Sequence, residues 1–143
     1  MNSKKTDERI NPKVFLSTLW VFALVNYIYC DVISIMNPED IKNIISGNVG
    51  VIHITPAFLL GASILMEIPM AMILFSRILN FGINRWMNII SGIIMTAVQI
   101  SSLFTGTKPT PHYIFFSAIE IASTLFIIWY AWRWRKTGEN QIS

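Results

Sequence analysis

Three carboxylic acids stand where the sequence otherwise asks for hydrocarbon. Glu67 sits in the middle of GASILMEIPMAMILF, Glu120 in the middle of IFFSAIEIASTLFII, and Asp31 near the end of an apolar run that starts at Val14. An ionised acid at the centre of a membrane helix costs on the order of 3 kcal/mol on insertion scales. Holding a glutamic acid neutral at pH 7, against a reference pKa of about 4.3, costs about 3.7 kcal/mol. The two costs are comparable, so a nearby hydrogen bond, proton or bound cation decides which form exists. Proton or cation binding is therefore the chemistry these residues offer. Pro69 follows Glu67 closely. Its missing N–H frees the carbonyl of Leu65 and its ring presses on that turn, so a kink beside the acid is expected. Irregular backbone at membrane depth is tolerated where it is buried or lines a cavity, which would suit a cation or proton site. The plainer alternative is that Pro69 only bends the helix while Glu67 hydrogen-bonds a polar neighbour.

The elements that must position these acids are membrane spans. About 20 apolar residues cross a bilayer as a helix. Four windows fit: Val14–Ile35, Pro56–Ser76, Trp86–Phe104 and Pro111–Trp132. The chain is 53% hydrophobic and 13% charged, about half the charge of an average soluble domain, so four such runs cannot be covered by polar surface. The spans are too long and continuous for barrel strands. The expected fold class is all-α, a transmembrane four-helix bundle in which residues 1–143 make a single integral membrane domain. The apolar run after the basic start is too long for a signal-peptide core and no cleavage site follows it, so it reads as a retained first span.

Lysine and arginine set the orientation. Lys4, Lys5, Arg9, Lys13, Arg77, Arg85, Arg133, Arg135 and Lys136 fall on one side and only Lys42 and Lys108 on the other, nine of 11 together. That side should be the cytoplasm, with both termini inside. Trp86, Trp129, Trp132 and Trp134 cluster at the same boundary, where their rings favour the headgroup zone; an interfacial anchor explains WYAWRWRK better than a regulatory tail. Outside, NPEDIKNIISG carries an N-cap (Asn37), a first-turn proline (Pro38) and early acids, with Ile41, Ile44 and Ile45 on one face and Gly47 at the end. It predicts a short amphipathic helix in the outer loop between spans one and two, lying on the outer leaflet; such a segment could cap a cavity but is more often a plain connector.

Polar residues recur at helical spacing inside each span. Asn26, Tyr27, Cys30, Asp31 and Ser34 form one stripe; Ser63, Glu67 and Met70 or Ala71 a second; Asn88, Gly92, Thr96 and Gln99 a third; Ser117, Glu120 and Thr124 a fourth. A bundle with all four stripes facing inward is expected. At 1.5 Å per residue, Glu67 lies roughly 16 Å and Glu120 roughly 13 Å from the outer ends of their helices, with Asp31 near the outer boundary. The expected proton, cation or ligand site is Glu67, Glu120, Asp31, Asn26 and Gln99, with Pro69 as the kink. Ala57 and Gly61, and Gly92 and Thr96, have the spacing of close helix contacts. Met66, Met70, His53, His112 and Cys30 are soft donors that could suit copper(I), but methionine in an apolar helix is far more often packing filler, so no metal or other cofactor is expected. With one cysteine there is no internal disulfide. The bases sit at span borders rather than on one polar face, so no nucleic-acid partner is expected.

The segments LMEIPMAMILFSRIL, INRWMNIISG and IIWYAWRW resemble an uncharacterised family of small four-span prokaryotic membrane proteins. The resemblance implies a four-helix integral membrane protein, here of the inner membrane, and supplies no activity. The expected function is a proton- or cation-linked transporter or channel-like protein, with the lipid bilayer and a second copy or another membrane protein as partners. The alternatives are a membrane subunit or scaffold whose polar stripes serve packing, and a membrane enzyme acting on a lipid or quinone. No nucleophile elbow, zinc motif or redox pair is present, so a non-enzymatic role is expected.

Overall fold

A computed structural model describes residues 10–105 and 108–135. Lys4, Lys5, Arg9 and Lys136, used above for orientation, lie outside the described residues. The element order is α1 (Pro12–Ile35), α2 (Pro38–Ile45), β1 (Asn48–Val49), β2 (Ile52–His53), α3 (Pro56–Ile78), α4 (Phe81–Thr105) and α5 (Pro111–Arg133). Helices α1, α3, α4 and α5 are each long and apolar enough to cross a membrane.

Short local signals start these helices. Asn11–Pro12, Asn37–Pro38, Thr55–Pro56 and Thr110–Pro111 each put a capping residue type before a first-turn proline, where the missing N–H costs nothing. Asn11, Asn37 and Thr55 accept hydrogen bonds from the backbone N–H groups of Lys13, Glu39 and Phe58. Helix α2 stops at Gly47, whose φ of +79° is open to glycine without strain, and its N–H reaches back to the carbonyl of Ile44. A β1–β2 hairpin follows, in register Asn48 opposite His53 and turning at Gly50 with φ +61°.

Span three differs from its sequence boundary. Helix α4 begins at Phe81, so Arg85 is helical rather than part of a loop. Arg85 makes this possible by reaching sideways: its Nη2 donates to the Trp132 carbonyl at 3.1 Å and its guanidinium lies 5.4 Å from the Trp132 ring centroid.

The four long helices alternate in direction. One end, here the basic end, carries Lys13, Arg77, Arg85, Arg133 and Arg135; the other, the capped end, carries α2 and the hairpin. Around the bundle, α3 packs on α1, α1 on α5 and α5 on α4, whereas α3 and α4 touch far less. Leu16, Trp20, Ala23, Met72, Met95 and Ile127 fill the centre, while Phe22, Ile28, Ile90, Ile93 and Leu125 point outward. Ser17, Ser76, Asn84, Asn88 and Thr124 are buried beside that core, and an apolar rim with polar groups turned inside is what a hydrocarbon solvent selects. Gly92 lets α4 and α5 approach closely: a Cβ there would stand 2.6 Å from Ile128 Cγ1 and 3.3 Å from the Thr124 carbonyl oxygen.

Candidate functional site: a vestibule above a buried glutamate

The basic end is closed by hydrogen bonds around five buried side chains, Ser17, Trp20, Ser76, Asn84 and Asn88. Trp20 Nε1 donates to Asn88 Oδ1 at 2.7 Å, and Ser76 Oγ donates to the same oxygen at 3.3 Å. Asn88 Nδ2 donates to Asn84 Oδ1 at 2.7 Å, and Asn84 Nδ2 donates to the Ser76 carbonyl. Ser17 Oγ donates to the Ile73 carbonyl at 2.8 Å and accepts from Arg77 Nε at 3.1 Å. The network ties α1, α3 and α4 together. Its sequence signal was partial: Asn84 stands one helical turn before Asn88, but nothing in the chain links either to Trp20, 68 residues away.

The middle of the bundle joins α4 to α5. Thr96 and Thr124 hydroxyls are 2.7 Å apart, and Gln99 Nε2 donates to Ser117 Oγ at 2.8 Å. Both stripes expected on these helices face inward. Glu120 lies one turn below Ser117 and is 1% exposed. Its Oε1 is enclosed without a hydrogen-bond partner among the described residues, and the same holds for the hydroxyl of Tyr27 on α1. Asp31, also from α1 but exposed, lies within electrostatic range of Glu120, and Tyr27 lies within the same range. Tyr113, two turns above Glu120, donates to or accepts from Ser102 at 2.7 Å and completes the cluster.

Above it, at the capped end, a cavity of about 920 Å³ opens between α1, α3, α4 and α5. Asp31, Ser34 and Tyr113 line its floor side. Asp40, Asn43 and Ile44 line it from α2, so the amphipathic helix roofs a cavity, while Ile45 is turned out and 80% exposed.

Thus Glu120, Asp31 and Gln99 belong to one region, and two expected members do not. Asn26 is half-buried, its Nδ2 donates to the Phe22 carbonyl of its own helix, and it does not line the cavity. Glu67 is exposed, on a small groove of about 240 Å³ between α3 and α4 that Met87 and Ser91 also line. The stripe of Ser63, Glu67 and Met70 therefore does not face inward as expected. The reason is Pro69, which is buried. Residues two apart on a helix lie about 200° apart, so burying Pro69 turns Glu67 to the opposite face. Leu65, whose carbonyl the proline frees, packs toward the core, so acid and loosened turn do not form one site.

The soft donors also stay apart. His112 Nε2 is 3.2 Å from Thr110 Oγ1 and 3.4 Å from Ser34 Oγ, His53 is exposed and Met66 packs on the core. Among the described residues no three His, Cys, Asp or Glu side chains converge as a metal site would need.

A search of curated proteins finds no match, and a search of solved structures finds none. The four apolar helices and their polar stripes instead coincide with a family model that covers residues 4–141, nearly the whole chain, and the protein belongs to that family, a family of unknown function (DUF6326).

Proposed function

We propose that the protein is a small membrane transporter or channel-like protein handling protons or cations, with Glu120 as the central carboxyl and Asp31 between it and the vestibule. The observation that carries the reading is that an acceptor, Glu120 Oε1, and a donor, the Tyr27 hydroxyl, are both enclosed without a partner among the described residues, beneath a cavity. Buried polar atoms are otherwise nearly always paired, and leaving one unpaired costs about 1–3 kcal/mol. Such a pair suits a group that binds its partner transiently. The asymmetry of the bundle supports it further: an open capped end faces a basic end sealed by the Trp20–Asn88 network. Glu67, on the outer groove, has no part in the central site.

The test is dye-reported proton flux in proteoliposomes under imposed pH and sodium or potassium gradients. Glu120→Gln should cut flux at least tenfold, whereas Glu67→Gln should leave it within twofold. Equal flux through wild type and Glu120→Gln would sink the reading.

We further propose that the basic end faces the cytoplasm of a prokaryotic inner membrane, so that the vestibule opens outward. The support is the distribution of lysine and arginine. Cys30 is only 3% exposed and cannot report topology. With Cys30→Ser as background, Lys42→Cys on exposed α2 should react with an impermeant maleimide added to whole cells. Reaction only after the cells are opened would reverse the orientation.

The packing role is the second reading. It is favoured by how fully Asn84, Asn88, Ser76 and Thr96 are spent on helix contacts. It predicts that Glu120→Gln changes no flux and that a membrane partner co-purifies stoichiometrically. An enzyme acting on a lipid or quinone finds no supporting observation at the site.

A further inference from the structure

We propose that the vestibule binds an amphipathic organic cation, admitted from the bilayer through the seam between α3 and α4. The inference rests on the reading of Asp31 and Glu120 as working carboxyls and names the substrate class that would reach them.

Size is the first argument. Pockets for drug-sized ligands run about 300–1,000 Å³, and a cavity of about 920 Å³ is at the upper end. A proton or a bare metal ion has no use for such a volume. Charge is the second. Asp31 and Asp40 line the cavity against Lys108, the one base among the described lining residues, so the site favours a positive guest. Asp40 is itself oriented by Asn37 Nδ2 at 2.9 Å. The remaining wall is the third argument. Ile44, Phe58, Leu65 and Val98 bring side chains from three elements, enough to cover an apolar body around the charge.

Entry follows from the packing. Helices α3 and α4 are the loosest neighbouring pair. Among the larger residues where they border the cavity stand three small ones, Gly61 and Ala62 on α3 and Ala97 on α4, all exposed. A Cβ on Gly61 would meet nothing within 4 Å. A guest that dissolves in the acyl region can therefore reach the carboxyls sideways, without crossing the roof of α2.

The experiment is equilibrium binding to the full chain in nanodiscs, with tetraphenylphosphonium as probe and tetraphenylborate as its anionic twin of the same shape. Saturable binding of the cation alone is expected, at least tenfold weaker in Asp31→Asn and in Gly61→Trp. Ala97→Trp serves if Gly61→Trp does not fold by circular dichroism. Equal binding of the two ions, or none, overturns the inference. So does competition by tetramethylammonium as strong as that of the large cation. Binding needs no flux, so the two proposals fail separately. Absent binding with Glu120-dependent flux intact overturns this inference alone. Saturable cation binding with flux indifferent to Glu120→Gln supports the cation site and overturns transport.

Discussion

Asn88→Leu should lower the thermal midpoint by about 10 °C. Asn88 holds four bonds: it accepts from Trp20 Nε1 and Ser76 Oγ, and donates to both oxygens of Asn84. Leucine strips the acceptor from a fully buried indole N–H and leaves Asn84 Oδ1 without its donor. Each orphaned group costs about 1–3 kcal/mol. Individual hydrogen bonds between membrane helices average only about 0.6 kcal/mol, so the orphans, not the lost bonds, dominate. A total near 3 kcal/mol, at about 2–4 °C per kcal/mol for a chain of this size, gives the shift. The chain carries its own reporter: Cys30 is the sole cysteine and is buried, so a thiol-activated dye reads unfolding directly. Asn26→Leu is the control. That side chain bonds only its own helix, and the midpoint should move by less than about 2 °C. Equal shifts for the two variants would mean that the basic end is not held as described.

Gly92→Leu should separate α4 from α5, and Gly92→Ala should already destabilise the fold by about 1–3 kcal/mol. The added Cβ would stand 2.6 Å from Ile128 Cγ1 and 3.2 Å from its Cδ1. Ile128 can turn away, but the Thr124 carbonyl at 3.3 Å belongs to the backbone and yields little. Pushing the helices apart also stretches the 2.7 Å contact between Thr96 and Thr124, one turn further on. Ile128→Ala removes both crowded atoms. In the same dye assay, the double variant Gly92→Ala with Ile128→Ala should lose less than the sum of the single variants, by at least about 0.5 kcal/mol. Strict additivity would show that the two residues do not meet.

The two asparagines show where sequence reasoning stops. Asn26 and Asn88 both stand in apolar runs, on stripes with period near 3.6, and local spacing treats them alike. Asn88 meets Trp20 across 68 residues, and Asn26 meets its own helix. The difference lies in which helix packs where. Glu67 is the same case with a larger consequence. Its run suggested the central acid, yet burial of Pro69 turned it outward and left Glu120 at the centre.

Hydrophobic run length and N-cap chemistry are local, and they dictated the four long helices, the α2 segment and its stop at Gly47. The stripes of α4 and α5 were legible too, because a helix has one rotational degree of freedom and its polar face is the one that hydrocarbon rejects. The choice among acids was not local. It depended on the rotation of α3, the gap between α3 and α4 and the approach of α1 to α5, each set by side-chain packing among residues far apart in the chain. Burial and partnership belong to pairs of helices, and no single run encodes them.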